Sequence, residues 1–385
     1  MTIKALEFYS GIGGLHLALS RSKLAVDVVQ AFDWDQTACL VYSANHGRGI
    51  AKKVDISTLT APTLSSYNAN LWLLSPACQP YTVLNPNAKG AQDPRALSFL
   101  HLVQNVLPEL AVSNQHPDRL LVENVAGFED SSTRKILVDT LRSIGYTTLE
   151  HLLTPLQFGI PNSRLRYYLL AKKDPFGSTN ISEGKTNSIW RQIPGQGIAW
   201  SDPRLDEESQ AGRSMVDEIK TYLDDDRGEE HYQRYRIPDK VLEKWGRLFD
   251  IVKPSGKRSC CFTRGYTQLV ERAGSIIQEN EALDTTSTFD AFLHAQSLGE
   301  RDAIHLLHPL KLRYFAPSEL LRIFAFDHMS STSSRSKEKA DNRENAEFIW
   351  PETVSTKSKY KLIGNSVNVL VVQKLIEYLF DEPGC

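Results

Sequence analysis

Residues 71–82 read LWLLSPACQPYT. Four apolar residues in a row, closed by Ser75 and Pro76, predict a short strand buried on both faces. Pro76 and Pro80 stiffen the loop that follows, and Cys78 stands between them. A cysteine kept for packing would sit inside LWLL. Cys78 lies just past it, where a strand meets its loop and side chains reach solvent. This position points to chemistry, although a lone cysteine more often serves as a small buried hydrophobe.

The same kind of run recurs on both sides of this stretch. KALEFY (4–9), VDVVQAF (26–32), RLLVEN (119–124) and RYYLLAK (166–172) have strand character. Helix-like spacing at 14–22, 36–45, 95–112 and 131–143 separates them, the last with Ser131 and Ser132 as cap candidates. Such alternation predicts an α/β fold: a doubly wound, mostly parallel sheet with helices on both faces. In sheets of this type ligands bind beyond the carboxyl ends of the strands. The rhythm breaks near residue 174. The expected organisation is a catalytic and cofactor-binding domain at 1–173, a smaller irregular domain at 174–310, and a return to the first domain at 311–385. Residues 327–347, DHMSSTSSRSKEKADNRENAE, offer little to bury and read as a mobile loop. APSELLRIFAF reads as a short helix. Asn365 to Phe380 reads as a closing helix that returns to the first domain.

Bulk properties narrow the function. The chain has 385 residues and a formal net charge of −2, so nucleic acid would be held by local basic patches, without a global field. Nothing at the start resembles a signal peptide, and no apolar run is long enough to span a membrane. The five cysteines are odd in number and unevenly spaced, which suits a reducing compartment, cytoplasmic or nuclear, better than a disulfide framework. His305 and His308, in HLLH, lack a second ligand pair, so a helix is expected there and no metal site.

The strand ends carry the chemistry. YSGIGG (9–14) places Gly11, Gly13 and Gly14 after the first strand, where they allow a tight turn and close ligand approach. The spacing is neither G-x-G-x-x-G nor a P-loop. Asp33, in DWD, follows by about 20 residues, the separation at which an acid meets ribose hydroxyls in such folds. Trp34 offers a face for adenine. A helix cap is the alternative reading for Asp33, Asp35 or Asp55, and a half-buried core indole for Trp34. A nucleoside without a phosphate cradle favours S-adenosylmethionine over NAD. Glu123 ends a strongly apolar strand, where a carboxylate is costly unless paired or open to a cleft.

In order, YSGIGG, DWD, SPACQPYT, ENV, QFGIPNSRLRYYLLAK and KLIGNSVNV resemble the motif set of the cytosine-5 methyltransferases. SCCFTRGYTQ (259–268) resembles the Cys-Phe-Thr signature of the tRNA branch, once classed as DNA methyltransferase homologues. The resemblance implies a Rossmann-like, S-adenosylmethionine-dependent methyltransferase with a target-recognition domain. It makes Cys78 the nucleophile, Glu123 the carboxyl that engages the base, and Arg164 and Arg166 the paired arginines beside them. It assigns cofactor contacts to Tyr9, Ser10, Gly11, Gly13, Gly14, Asp33, Trp34, Asp55, Ile56, Pro76, Asn365, Ser366 and Val367. Gln79, Cys261, Phe262 and Thr263 become substrate-binding residues. Two positions depart from the family: Ala77 stands where Pro-Pro-Cys has proline, and Val83 where the tRNA branch has a basic residue.

The implied reaction is methylation of cytosine 38 in the anticodon loop of aspartate tRNA by a monomer that binds duplex DNA weakly or not at all. A DNA cytosine-5 methyltransferase and a catalytically weak RNA-binding adaptor are the alternatives.

Overall fold

The computed structural model describes residues 2–81, 90–176, 188–195, 215–225, 228–327 and 347–381. Val83, Cys385 and the stretch between Asp327 and Glu347, expected as a mobile loop, lie outside them.

The main sheet contains β1 (Ile3–Phe8), β2 (Val26–Asp33), β3 (Ala51–Lys53), β4 (Leu71–Leu74), β5 (Arg119–Val125), β6 (Thr147–Leu153), β7 (Arg166–Lys172) and β8 (Ile189–Trp190). Their order is β3-β2-β1-β4-β5-β7-β6-β8. Strands β1 to β5 pair in parallel, as the alternation predicted. Strand β7 is the exception, antiparallel to both β5 and β6. Its register sets Arg166 opposite Val125 and Lys172 opposite Arg119. The start of β7 therefore lies at the same edge as the end of β5, beside the ends of β1, β2 and β4.

Successive side chains of a strand face opposite ways. Leu121 and Leu170 enter one core, with the helices Gly14–Ser20 and Val369–Leu379 over it. Leu120, Val122 and Leu169 enter a second core under the segment 97–112 and the helix Ser132–Ser143. Because both faces are covered, strands such as LWLL are apolar throughout, with all four residues buried. The closing helix begins at Val369, later than expected, because the Asn368 side chain accepts from the Val371 N–H at 3.2 Å and caps it. It packs on Gly14–Ser20 and so brings the chain end back to the first strand's turn.

Three local expectations differ from the fold. Strand β6, TTLEHLL, was not anticipated, because Glu150 and His151 mask its strand character. Both are buried, and Glu150 is held by Arg134 at 2.6 and 2.5 Å and by Tyr167 at 2.6 Å. The single helix expected at 95–112 is broken: Leu102–Val106 widens to a π turn just before Pro108, which has no N–H for the ladder. The His305–His308 stretch is a 3-10 helix, Ala303–Leu310, in which His308 meets Asp239 at 3.2 Å.

Past residue 174 the chain builds a second, smaller sheet from β9 (Asp250–Val252), β10 (Ser275–Gln278) and β11 (Leu312–Arg313). A separate cluster around Phe249, Ile276, Phe292 and Leu307 lies against it. Yet Ile219, Tyr222, Phe262 and Tyr266 from the same stretch pack into the first core. Arg313 is fully buried and pairs with Glu279 at 2.6 Å and with the equally buried Glu319 at 2.8 Å. Glu319 belongs to the helix Pro317–Ile323, the short helix expected in APSELLRIFAF, so this ion pair joins the small sheet to the main core. Losing one partner of such a pair would strand the other charge, at a cost of about 3–5 kcal/mol.

One buried acid lies directly beneath the first turn. Glu7 is fully buried in β1 and accepts from the Tyr42 hydroxyl at 2.8 Å. Burial pushes its carboxyl up to about 8. Between its ordinary value of 4.5 and about 8 the unfolded chain has released this proton while the folded chain keeps it. Stability is therefore lost as pH rises through that window and levels off above it. Glu7→Gln removes the titration, so the variant's melting temperature relative to wild type should climb from pH 5 to pH 8 and then plateau. A pH-independent difference in thermal scans would show that Glu7 does not hold its proton.

Candidate active site

The site is assembled where the strands end. The chain leaves β1 through a left-handed turn, with φ of 58° at Tyr9, 53° at Gly11 and 87° at Gly13. The Gly11 N–H donates to Asp33 Oδ2 at 2.8 Å, and the Asp35 N–H donates to Asp33 Oδ1 at 2.7 Å. Asp33 thus ties the glycine turn to the end of β2. The cap of the helix Gln36–His46 is Asp35. Burial pushes the Asp33 carboxyl up, and the backbone N–H groups of Asp35, Gly11 and Trp34 pull against it. A carboxylate has about four acceptor sites, so these donors do not exhaust it.

The three glycines do different work. A Cβ on Gly13 would lie 2.2 Å from the His46 ring, and one on Gly14 would lie 2.8 Å from Val367. These two permit close packing beneath the turn. Gly11 has nothing within 4 Å of that position and lines an open cleft. Ser10 Oγ, beside it, is buried without a hydrogen-bond partner among the described residues.

The cleft, about 240 Å³, runs from this turn to the end of β5. Tyr9, Gly11, Asp33 and Pro76 line it at one end. Cys78, Gln79, Glu123, Arg164 and Arg166 line it at the other, and Asn365 and Ser366 form part of the wall. Several residues expected at the cofactor are not in this lining. Trp34 is 70% exposed. Asp55 caps a single helical turn by accepting from the Ser57 N–H at 2.9 Å, and Ile56 is buried in the core behind it. For Asp55 the cap is what the structure shows.

Cys78 is half-buried and opens a turn closed by the Tyr81 N–H to its carbonyl at 3.0 Å. The Asn124 amide donates to the Pro76 carbonyl at 3.3 Å and fastens this loop to β5. Ser75, quoted in the motif but given no role there, donates to Glu123 Oε2 at 3.2 Å. The other carboxylate oxygen faces Arg166 Nε at 3.5 Å. Burial pushes Glu123 upward, with Arg166, Arg164 and Ser75 opposing, and the net direction is up. Burial likewise raises the Cys78 thiol; Arg166 and Arg164 pull down and the Glu123 charge pushes up. A neutral Glu123 would take away that charge but leave burial, the larger cause, opposing a thiolate.

The arginine pair does not lie on an exposed strand face. Arg164 is buried and donates to the carbonyls of Phe262 at 2.7 Å, Ser366 at 2.6 Å and Gly364 at 3.2 Å. Its guanidinium also lies over the Phe324 ring, 4.8 Å from the centroid. Phe262 and Thr263 therefore act through the wall: Phe262 is buried in the core, and the Thr263 backbone presses against Gly364. The close approach at Gly364 escaped sequence reading, although glycine in LIGN was its one signal.

Residues 3–381 match the family described as C-5 cytosine-specific DNA methylase. The chain belongs to the C-5 cytosine methyltransferases. It is 37% identical to a tRNA (cytosine(38)-C(5))-methyltransferase of Schizosaccharomyces pombe, with 98% of this chain and 97% of that one aligned. It is 32% identical to the Homo sapiens protein of the same name, over 98% and 99%. A crystal structure of the S. pombe Dnmt2 methyltransferase superposes with a TM-score of 0.73 at 35% identity, covering 98% of both chains. Membership of this family gives the doubly wound sheet and its cleft a common explanation.

Gly364→Ala tests the wall. Its Cβ would lie 2.2 Å from the Thr263 carbonyl carbon, which is backbone and cannot swing aside. The expected cost is about 1–3 kcal/mol, read as a lower midpoint in urea unfolding. An unchanged midpoint would mean that the two segments do not press together.

Proposed function

We propose that this protein transfers a methyl group to carbon 5 of cytosine 38 in the anticodon loop of aspartate tRNA. The observation that carries the reading is the placing of Cys78, Glu123 and Arg166 in one cleft that continues to the glycine turn. The tRNA methyltransferases named among its relatives support the choice of RNA. The residues of the turn fit S-adenosylmethionine: Gly11 leaves a cradle that a Cβ would enter, Ser10 Oγ is an orphaned polar atom among the described residues, and Asp33 lines the cleft with acceptor capacity left for a hydroxyl. When bound there, S-adenosylmethionine supplies an electrophilic methyl group.

Carbon 5 of cytosine is a poor nucleophile. Cys78, as thiolate, attacks carbon 6 and makes carbon 5 enamine-like. Glu123, whose carboxyl burial pushes up, shares a proton with ring nitrogen 3 and prevents negative charge from building on the ring. Arg166 steadies both groups. After methylation, transfer of the carbon 5 proton to water and breaking of the carbon 6–sulfur bond, with Cys78 leaving as thiolate, restore the aromatic ring. A free thiol has a pKa of about 8.5, so the arginine field matters most at the moment of attack. A base must leave its stack to enter the cleft, which costs a few kcal/mol in a duplex and less in a loop. With no global positive field, a splayed loop is the better substrate, read also through its 2′-hydroxyls. The reading includes a monomer acting in the cytoplasm, the nucleus or both, with weak binding of duplex DNA or none.

A DNA substrate is the second reading. It is favoured by a Dictyostelium discoideum relative named DNA (cytosine-5)-methyltransferase, 34% identical over 98% of this chain and 94% of that one.

Cys78→Ala should abolish transfer to tRNA while leaving S-adenosylmethionine affinity nearly intact in calorimetry. Glu123→Gln should slow turnover roughly 100- to 10,000-fold, the span of a lost acid–base group. Asp33→Ala should instead weaken cofactor affinity. The substrate is decided with 5-fluorocytosine, whose fluorine cannot leave as a cation. A fluorinated tRNA loop should trap Cys78 as a denaturation-resistant adduct. Efficient trapping by duplex DNA and none by the tRNA loop would give the case to DNA.

A further inference from the structure

Cys261 occupies an unusual place in the site. Its sulfur accepts from Arg164 Nη1 and from Arg166 Nη2, each at 3.4 Å. Arg164 Nη1 also donates to the neutral carbonyl of Phe262, and Nη2 to those of Gly364 and Ser366, while Nε has no partner among the described residues. Arg166 gives Nη1 to the Leu165 carbonyl and turns Nε towards Glu123. Two guanidiniums thus lie side by side, and Cys261 is the group shared between them.

We propose that Cys261 is a positioning residue for the reaction: its sulfur, bridging Arg164 and Arg166, carries the negative charge that balances the arginine pair, and so keeps Cys78 and Glu123 protonated in the resting site. The proposal rests on the reading of Cys78 as nucleophile and Glu123 as the carboxyl that engages the base. It moves Cys261 from substrate contact to control of charge.

Among the described residues, the ionisable groups around the pair are few. Cys78 comes from the loop after β4, Glu123 from β5, and Tyr168 from β7. Arg95, paired with Asp93 at 2.6 Å, adds a weaker field at Cys78 from outside. Burial raises all three thiol and carboxyl candidates for the negative charge. Only at Cys261 do Arg166 and Arg164 overcome it and pull the group down, whereas Cys78 and Glu123 stay raised. The charges of Arg166 and Arg164, both within hydrogen-bond reach of the one sulfur, are the reason, and their hydrogen bonds add to it. With Cys261 as thiolate, the site carries a single excess positive charge, and ionising Cys78 makes it neutral. With that negative charge gone, the excess is two, and both Cys78 and Glu123 lose protons at lower pH. An ionised Glu123 has no proton to share with ring nitrogen 3.

Cys261→Ser keeps an acceptor for both guanidiniums and removes the charge. The test follows iodoacetamide alkylation of each cysteine against pH in the full chain, resolved by peptide mass spectrometry and without RNA. In the wild type Cys261 should react with a lower midpoint than Cys78. In Cys261→Ser the Cys78 midpoint should fall by about one pH unit, the effect of one nearby charge. Methyl transfer by this variant should slow at neutral pH, with its optimum displaced by about one unit to acid. A wild-type Cys261 midpoint at or above that of Cys78 overturns the proposal, as does a Cys78 midpoint unmoved by the serine. If the variant fails to fold, the order of midpoints in the wild type decides alone. Absence of methyl transfer to tRNA would sink the functional reading without touching that order.

Discussion

The site depends on the buried guanidinium of Arg164. Its donors meet carbonyls from stretches 98, 200 and 202 residues further along the chain. Buried carbonyls left without a donor cost roughly 1–3 kcal/mol each. One planar cation with several fixed donors can satisfy them together; a lysine ammonium has no such fork. The glycine at 364 belongs to the same constraint, since only a residue without Cβ lets the Thr263 backbone come this close. The cleft wall is therefore a consequence of hydrogen-bond accounting at one side chain.

The direction of β7 decides where that side chain can act. In a wholly parallel sheet the start of β7 would lie at the edge opposite the ends of β1, β4 and β5. Running antiparallel, it brings Arg164 and Arg166 to the edge where Cys78 and Glu123 stand. The charge economy of the site follows. Carbonyl oxygens satisfy donors without cancelling charge, so the arginine field remains available to thiols and a carboxyl. Desolvation opposes ionisation at each of them, and the outcome differs by position. The arginines lose to burial at Cys78 and Glu123 and prevail at Cys261.

Much of this was legible in the chain. The strand runs, the cap at Ser131, the glycine turn and the reactive residues beyond the strand ends could all be read from local pattern. Strand β6 could not, because a buried ion pair with Arg134 permits Glu150 where alternation forbids a charge. The π turn before Pro108 was hidden in an otherwise even helical period. Asp33 was read as an acid for a ligand or a cap. Its main visible bonds are to the backbone of Gly11 and Asp35, a partnership that appears only once β1 and β2 lie side by side.

By itself the sequence determined which residue types exist, their order, and the alternation that makes a doubly wound sheet. It also placed a thiol and a carboxyl beyond apolar strands, and the motif order that marks the family. These are properties of short stretches, because backbone propensity, capping and hydrophobic period act over a few residues. Only the tertiary structure decided the direction of β7, the arrival of Gly364 in the cleft wall and of Cys261 against the arginine pair, and which acidic groups are pushed up or down. Desolvation and Coulomb energy depend on distance through space, and residues 78, 123, 166 and 261 become neighbours only after the chain has folded.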